Sequence, residues 1–172
     1  MTMFESIYQA DLRLLMWCQK SRFYPQFIAF IRAISRTGDG YLQVLFPLLY
    51  LLVNPIQGAA FFQLAITAYA LERPLYFVLK NILKRRRPPD VVPAFTSIIH
   101  ASDKFSFPSG HTMAAFLLAG LAVATIGLAA CGLYLWAIAV AISRVILGVH
   151  FPTDIIAGAT LGSLVAYLMV VV

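Results

Sequence analysis

The run SGHTMAAFLLAGLAVATIGLAA, residues 109–130, decides the architecture. It opens on Ser109-Gly110-His111 and then reaches Ala130 without a charged residue. Ser is a good helix N-cap, Gly permits a close backbone approach, and His111 falls in the first turn. The apolar remainder has the length of about 20 residues that a helix needs to cross a bilayer. Working outward, the same signal recurs at 40–53, closed by Asn54-Pro55, and at 56–83, interrupted by Glu72-Arg73-Pro74. It returns at 133–149 and at 152–172, where Pro152 suits a first helical position. These segments make five spans.

Composition agrees. Of 172 residues, 61% are apolar and 12% charged, against about 25% charged in an average soluble domain. The expected fold is all-α: a polytopic transmembrane helix bundle of five or six spans in one integral membrane domain, residues 1–172. Residues 4–19 mix charge with Leu, Trp and Tyr and are expected to form an N-terminal amphipathic interfacial helix. Residues 23–36 fit either a second interfacial helix or a short sixth span carrying Arg32. The start carries acids and lacks a basic stretch before an apolar core, so it does not read as a cleaved signal peptide. Cys18 and Cys131 lie far apart and read as membrane residues rather than a disulfide framework. The net charge of +6 sits beside apolar spans, which favours lipid headgroups or phosphate over nucleic acid.

Parity gathers the chemistry. The second span ends at Lys80-Asn-Ile-Leu-Lys-Arg-Arg-Arg87-Pro88, the third starts at Pro108-Ser109-Gly110-His111, the fourth ends just past Arg144, and the fifth starts just past His150. Antiparallel crossings bring all of these to one membrane face. The linker from Pro89 to Pro108 lies there too and is the one sizeable loop available to cover a site. Lys80, Arg87 and Arg144 are cations suited to an anionic tetrahedral group. Free amides in the first turn after Ser109 can receive phosphate oxygens. His150 and Asp154 are four apart. If the helix starts early enough they share a face, and the carboxylate then orients the ring and makes its far nitrogen a better nucleophile. Lys84, Arg85 and Arg86 read as a basic anchor at a helix end, and His100 as a solvated loop histidine. Glu72 and Arg73 fall mid-span, where charge is expensive. They read as a structural ion pair, or as residues behind the phosphate site in which Arg73, two turns from Lys80, faces the cavity below it. Pro74 is expected to kink that helix.

The arrangement Lys80-(six residues)-Arg87-Pro88, Pro108-Ser109-Gly110-His111 and Ser143-Arg144-(five residues)-His150-(three residues)-Asp154 resembles the three-part signature of the type 2 phosphatidic acid phosphatase superfamily. The motifs cover residues 80–154, and their principal positions are all filled. The resemblance implies that His150 is the nucleophile and forms a phosphohistidine, that Asp154 orients it, and that His111 protonates the leaving oxygen and later activates water. It implies that Lys80, Arg87, Arg144, Ser109 and the Gly110 amide hold the phosphoryl oxygens, with neither metal nor other cofactor. The implied substrate is a phosphorylated lipid at the bilayer surface, of the phosphatidic acid, phosphatidylglycerol phosphate or polyprenyl diphosphate type. Transfer to a second lipid acceptor, and a non-catalytic lipid-binding or transport role, are the alternatives. Bacterial members imply an inner-membrane protein with an extracytoplasmic site. The Lys84–Arg87 cluster pulls against that through the positive-inside rule, unless residues 23–38 cross and carry Arg13, Lys20 and Arg22 to the far side.

Overall fold

The structure, a computed structural model, describes residues 3–19, 25–101 and 103–171. Among them are eight α-helices: α1 (Met3–Gln19), α2 (Pro25–Thr37), α3 (Tyr41–Val53), α4 (Pro55–Leu83), the single turn α5 (Pro88–Val91), α6 (Gly110–Ile126), α7 (Gly132–Ile146) and α8 (Pro152–Val171). A 3₁₀ turn, Leu128–Cys131, leads into α7. Two stretches, Leu128–Ile146 and Pro152–Val171, are long and apolar enough to cross a membrane by length and composition.

α6 is the centre of the bundle. Met113, Leu117, Leu118 and Leu121 are fully buried, packed with Phe61, Ala65 and Ala68 of α4 and Val165 and Ala166 of α8. α8 comes so close because it presents glycine. A Cβ at Gly158 would stand 2.6 Å from the Ser109 carbonyl oxygen, and one at Gly162 would stand 3.1 Å from the Leu117 nitrogen. This is small-residue packing at a four-residue spacing, as membrane helices use it. The α3–α4 hairpin closes in the same way. Asn54 accepts from the Gln57 amide, Pro55 starts α4, and Gly58 lies against the Tyr50 carbonyl. Phe46 and Tyr50 meet Phe61 edge-on, with centroids 5.9 and 5.7 Å apart.

α4 is continuous through Glu72-Arg73-Pro74 for 29 residues, with Pro74 inside it, about 43 Å at helical rise. α2 has 13 residues, about 20 Å, short of the roughly 30 Å hydrocarbon core. Ile28 and Ile31 pack on Ile146 and Leu147, and Thr37 accepts a hydrogen bond from Trp136 Nε1 at 2.8 Å. α2 therefore runs antiparallel along α7, away from the site end.

α1 is a helix as expected, but it is more than a surface helix. Leu15 is fully buried against Phe95, Val145 and Phe151, and Asp11 is buried at the start of α8. α1 thus sits at the site end of the bundle. Arg13 is on the site face, so a crossing by residues 23–38 does not move it away. Lys20 and Arg22 lie outside the described residues.

Candidate active site

The covering loop brings the cations together. Lys80, one turn from the end of α4, donates to the Tyr76 hydroxyl at 2.5 Å and pairs with Asp103 Oδ2 at 2.5 Å. Tyr76 donates to the same carboxylate at 2.7 Å. Arg87, held by the turn before Pro88, pairs through Nη2 with Asp103 Oδ1 and donates from Nε to the Asp103 carbonyl at 3.0 Å. Burial pushes the Asp103 carboxyl up, but the hydrogen bonds from Lys80 and Tyr76 and the Arg87 charge outweigh it and hold it well below the usual carboxylate range. A fixed anion already sits between the two cations.

Arg87 also reaches the far histidine. Its Nη1 donates to the Val149 carbonyl and stands 3.5 Å from His150 Nε2. The His150 side chain is 2% exposed. Burial, with Arg87 and Arg144 nearby and against the pull of Asp154, pushes its pKa down to about 4. The ring is therefore neutral near pH 7, with a lone pair available for attack.

The His150–Asp154 pair is not formed on one helix face, as the spacing suggested. α8 starts at Pro152, so His150 precedes it. Asp154 instead reaches back over the helix N-terminus, where Oδ2 accepts the Phe151 amide at 2.8 Å and stands 3.5 Å from His150 Nδ1. That separation is longer than a good hydrogen bond, and Nδ1 has no other partner among the described residues. Catalytic hydrogen bonds of this kind are often long without substrate.

Asp154 is fixed from behind. Arg85 Nη1 donates to Asp154 Oδ1 at 2.7 Å, Arg85 Nη2 donates to Asp11 Oδ2 at 2.7 Å, and Asp11 Oδ1 accepts the Thr153 amide at 2.9 Å. The Arg85 guanidinium also lies over the Phe151 ring, 4.2 Å from its centroid. Arg85 is therefore not the membrane anchor its sequence context suggested; Lys84 and Arg86, both exposed, keep that reading.

α6 contributes its N-terminus. Ser109 is the N-cap residue, but its hydroxyl does not cap the helix; it hydrogen-bonds the Thr112 hydroxyl at 2.9 Å. The first-turn amides of Gly110, His111 and Thr112 lack an i−4 acceptor within the helix. Gly110 is required by close approach, since a Cβ would come 2.8 Å from the Tyr76 ring. His111 Nε2 bonds Asp39 Oδ1 at 2.7 Å. Arg144 is buried; Nη1 donates to Ser35 Oγ at 2.7 Å, while Nε has no partner among the described residues.

A cavity of about 1030 Å³ joins these groups. Lys80, Arg87, Asp103, His111, Arg144 and His150 line its upper part; Val44, Pro47, Phe62, Ala65 and Ile66 line the part between α3 and α4. Of the residues expected at the site, Lys80, Arg87, Gly110, His111, Arg144, His150 and Arg73 line this cavity. Ser109, Asp154 and Glu72 do not: all three are fully buried, Ser109 against Thr112, Asp154 behind His150 and Glu72 paired with Arg73. Arg73 lines the cavity and lies 5.0 Å from the Tyr76 centroid, so the ion pair and the cavity position hold together. His100 is exposed, as expected, at the cavity rim. Among the described residues no group of three or more His, Cys, Asp or Glu could hold a metal ion.

Sequence reasoning missed Asp11, Asp39, Tyr76, Arg85 and Asp103. Two of the five carried a signal: Asp103 is an acid in the covering loop, and Tyr76 is one turn from Lys80 on the same helix.

Two histidines, three cations and a helix N-terminus meet above an apolar groove, an arrangement whose chemistry suits an anionic group carried on an apolar tail. The PAP2 superfamily model matches residues 59–172, and the chain belongs to that superfamily. The Bacillus subtilis phosphatidylglycerophosphatase B is 35% identical over 131 residues, covering 62% of this chain and 55% of that protein. The Mycobacterium tuberculosis decaprenylphosphoryl-5-phosphoribose phosphatase is 37% identical over 94 residues, covering 51% and 48%. The chain spans about half the length of these curated relatives. Among solved structures it is similar to Aquifex aeolicus LpxE, with TM-score 0.80, 28% identity and 94% of each chain covered. It is also similar to the transmembrane PAP2-type phosphatidylglycerolphosphate phosphatase of Bacillus subtilis, with TM-score 0.75, 27% identity, and 95% of this chain and 84% of that one covered. Three of these four are phosphatases by name, and one of them is described as transmembrane.

Proposed function

We propose that the chain is a single-domain membrane lipid phosphatase that hydrolyses a lipid phosphomonoester or diphosphate through a phosphohistidine on His150. The observation that carries this is the continuity of one cavity from His150 and Arg144 down to the apolar groove between α3 and α4. A lipid tail fits the groove while its phosphate meets the cations.

In this reading His150 Nε2 attacks phosphorus and the bond to the leaving oxygen breaks. His111 gives that oxygen a proton and then takes one from water, whose oxygen displaces His150. Asp154 orients the His150 ring. Lys80, Arg87, Arg144, the Ser109 hydroxyl and the Gly110 amide neutralise and position the phosphoryl oxygens. The cations meet the charge that a metal would otherwise meet, so no cofactor is invoked.

The chain crosses the membrane five times in this proposal: α2 and α3 together as one broken crossing, then α4, α6, α7 and α8. The site faces away from the cytoplasm of a bacterial inner membrane. That placement follows the family resemblance against the positive-inside pull of Arg13 and Lys84–Arg87. Labelling a cysteine introduced at Ser97 with an impermeant maleimide in intact cells reads it directly; reaction only after permeabilisation would reverse it.

The functional test is phosphate release by purified protein from phosphatidic acid, phosphatidylglycerol phosphate and a polyprenyl diphosphate, with EDTA present. Release from at least one, unchanged by the chelator, is expected. No release from any, or activity lost with EDTA and restored by Mg²⁺, would sink the proposal.

Arg73 supplies a further expectation. Its side chain is half exposed to the cavity, beneath Tyr76. Arg73→Met should lower kcat/KM about tenfold, the scale of one partly screened charge contact, in a protein that stays monodisperse. Wild-type kinetics would leave it a structural partner of Glu72 alone.

A further inference from the structure

The turn between α2 and α3 carries a second aspartate–histidine pair that no part of the signature contains. Gly38-Asp39-Gly40 is tightly specified. A Cβ at Gly38 would stand 2.8 Å from Val140 Cγ1, and Gly40 has φ of 111°, the left-handed region that favours glycine. The Gly38 and Asp39 amides bond the Ser35 and Arg36 carbonyls, each at 3.1 Å. The turn therefore holds Asp39 over the first turn of α6, where Oδ1 meets His111 Nε2 at 2.7 Å.

The pairing assigns the two ring nitrogens. With Nε2 on Asp39, Nδ1 is left as the nitrogen for chemistry, and it has no protein partner among the described residues. A carboxylate on one nitrogen fixes the tautomer and compensates positive charge on the ring. A proton donor needs both, because it must present N–H to the leaving oxygen and return to the same orientation when it takes the proton from water.

We propose that Asp39 is the positioning residue of the proton-transfer half of the reaction, as Asp154 is of the nucleophilic half. This rests on the reading of His111 as the proton donor. When the phosphorus–oxygen bond breaks, the departing oxygen takes the proton from His111 Nδ1 and phosphorus is left bonded to His150 Nε2. When water attacks, its proton goes to His111 Nδ1 and the phosphorus–nitrogen bond returns its pair to His150. The Nε2 proton stays on the Asp39 side throughout. The enzyme thus uses two histidine–aspartate pairs, one brought from a segment outside the motifs.

The test compares leaving groups, because only a bad one needs the proton. Wild type, Asp39→Asn, Asp39→Glu and His111→Ala are assayed with phosphatidic acid, which leaves as an alkoxide, and with p-nitrophenyl phosphate, which leaves as a stable phenolate. The quantity is kcat/KM, which reports steps up to phosphoenzyme formation. Asp39→Asn is isosteric and the site is partly exposed, so folding is retained. Its kcat/KM should fall about tenfold or more with phosphatidic acid and less than about threefold with the aryl ester, with Asp39→Glu recovering part of the loss. Proportional losses on both substrates mean that Asp39 only holds the turn, and no loss means that it does nothing; either overturns the inference. Discrimination in His111→Ala but not in Asp39→Asn overturns the inference alone. Equal losses on both substrates in His111→Ala overturn the reading of His111 and the role of Asp39 with it.

Discussion

Replacing His150 by alanine is expected to lower turnover of a lipid phosphomonoester by on the order of 10⁴ or more, the scale at which removing a nucleophile leaves only binding and charge stabilisation. The side chain touches Arg87 through Nε2 and faces Asp154 through Nδ1. His150→Gln, which keeps more of the buried volume, should be equally inactive while the protein elutes as wild type. The same position sets the acid limb of the pH profile. Because burial and the neighbouring cations push His150 down to about 4, the nucleophilic neutral form is fully present above that value. It is lost as pH falls through it, so the histidine itself should cause no loss between pH 5 and 7. Retention of more than a trace of activity in His150→Gln would remove it from the chemistry.

Arg87→Ala should have the next largest effect, a loss in kcat/KM of about 10³, the range seen when a preorganised cation or donor is removed from a phosphoryl-transfer site. Arg87 uses its whole fork: Nε and Nη2 go to Asp103, and Nη1 goes to the Val149 carbonyl beside His150. A lysine cannot reproduce three directed donors on a plane. Arg87→Lys should therefore recover little, and should retain phosphate affinity better than turnover. If Arg87→Lys came within about tenfold of wild type, charge alone would suffice there and the geometric part of the argument would fail.

Spans with continuous apolar runs were legible in the sequence. α4 and α8 begin within a residue of where Asn54-Pro55 and Pro152 put them, because proline and an N-cap mark a start whatever the tertiary context. The site cations and histidines were legible too, since parity alone carries them to one face. What was not legible is how their counter-charges pair. Asp11 meets Arg85 across 74 positions and Asp39 meets His111 across 72. Both pairings depend on α1 folding onto the start of α8 and on the α2–α3 turn folding against α7 and the first turn of α6, which no local pattern encodes. Amphipathic α1 looked interfacial because its burial is confined to Asp11, Leu15 and their neighbours. The four-residue spacing of His150 and Asp154 correctly made them neighbours, but for a different reason: α8 starts between them, and the carboxylate folds back over its N-terminus.

The central claim is that phosphorus is bonded to His150 during turnover. It is tested most directly by trapping the intermediate in the His111→Ala protein with a ³²P-labelled aryl phosphate, which loads without a proton donor and lacks the base that would release the group. After an alkaline quench and proteolysis, the account predicts near-stoichiometric label that survives base, is lost in acid, and maps to the peptide containing His150. Acid-stable label, label on another residue, or turnover with no labelled protein would contradict it.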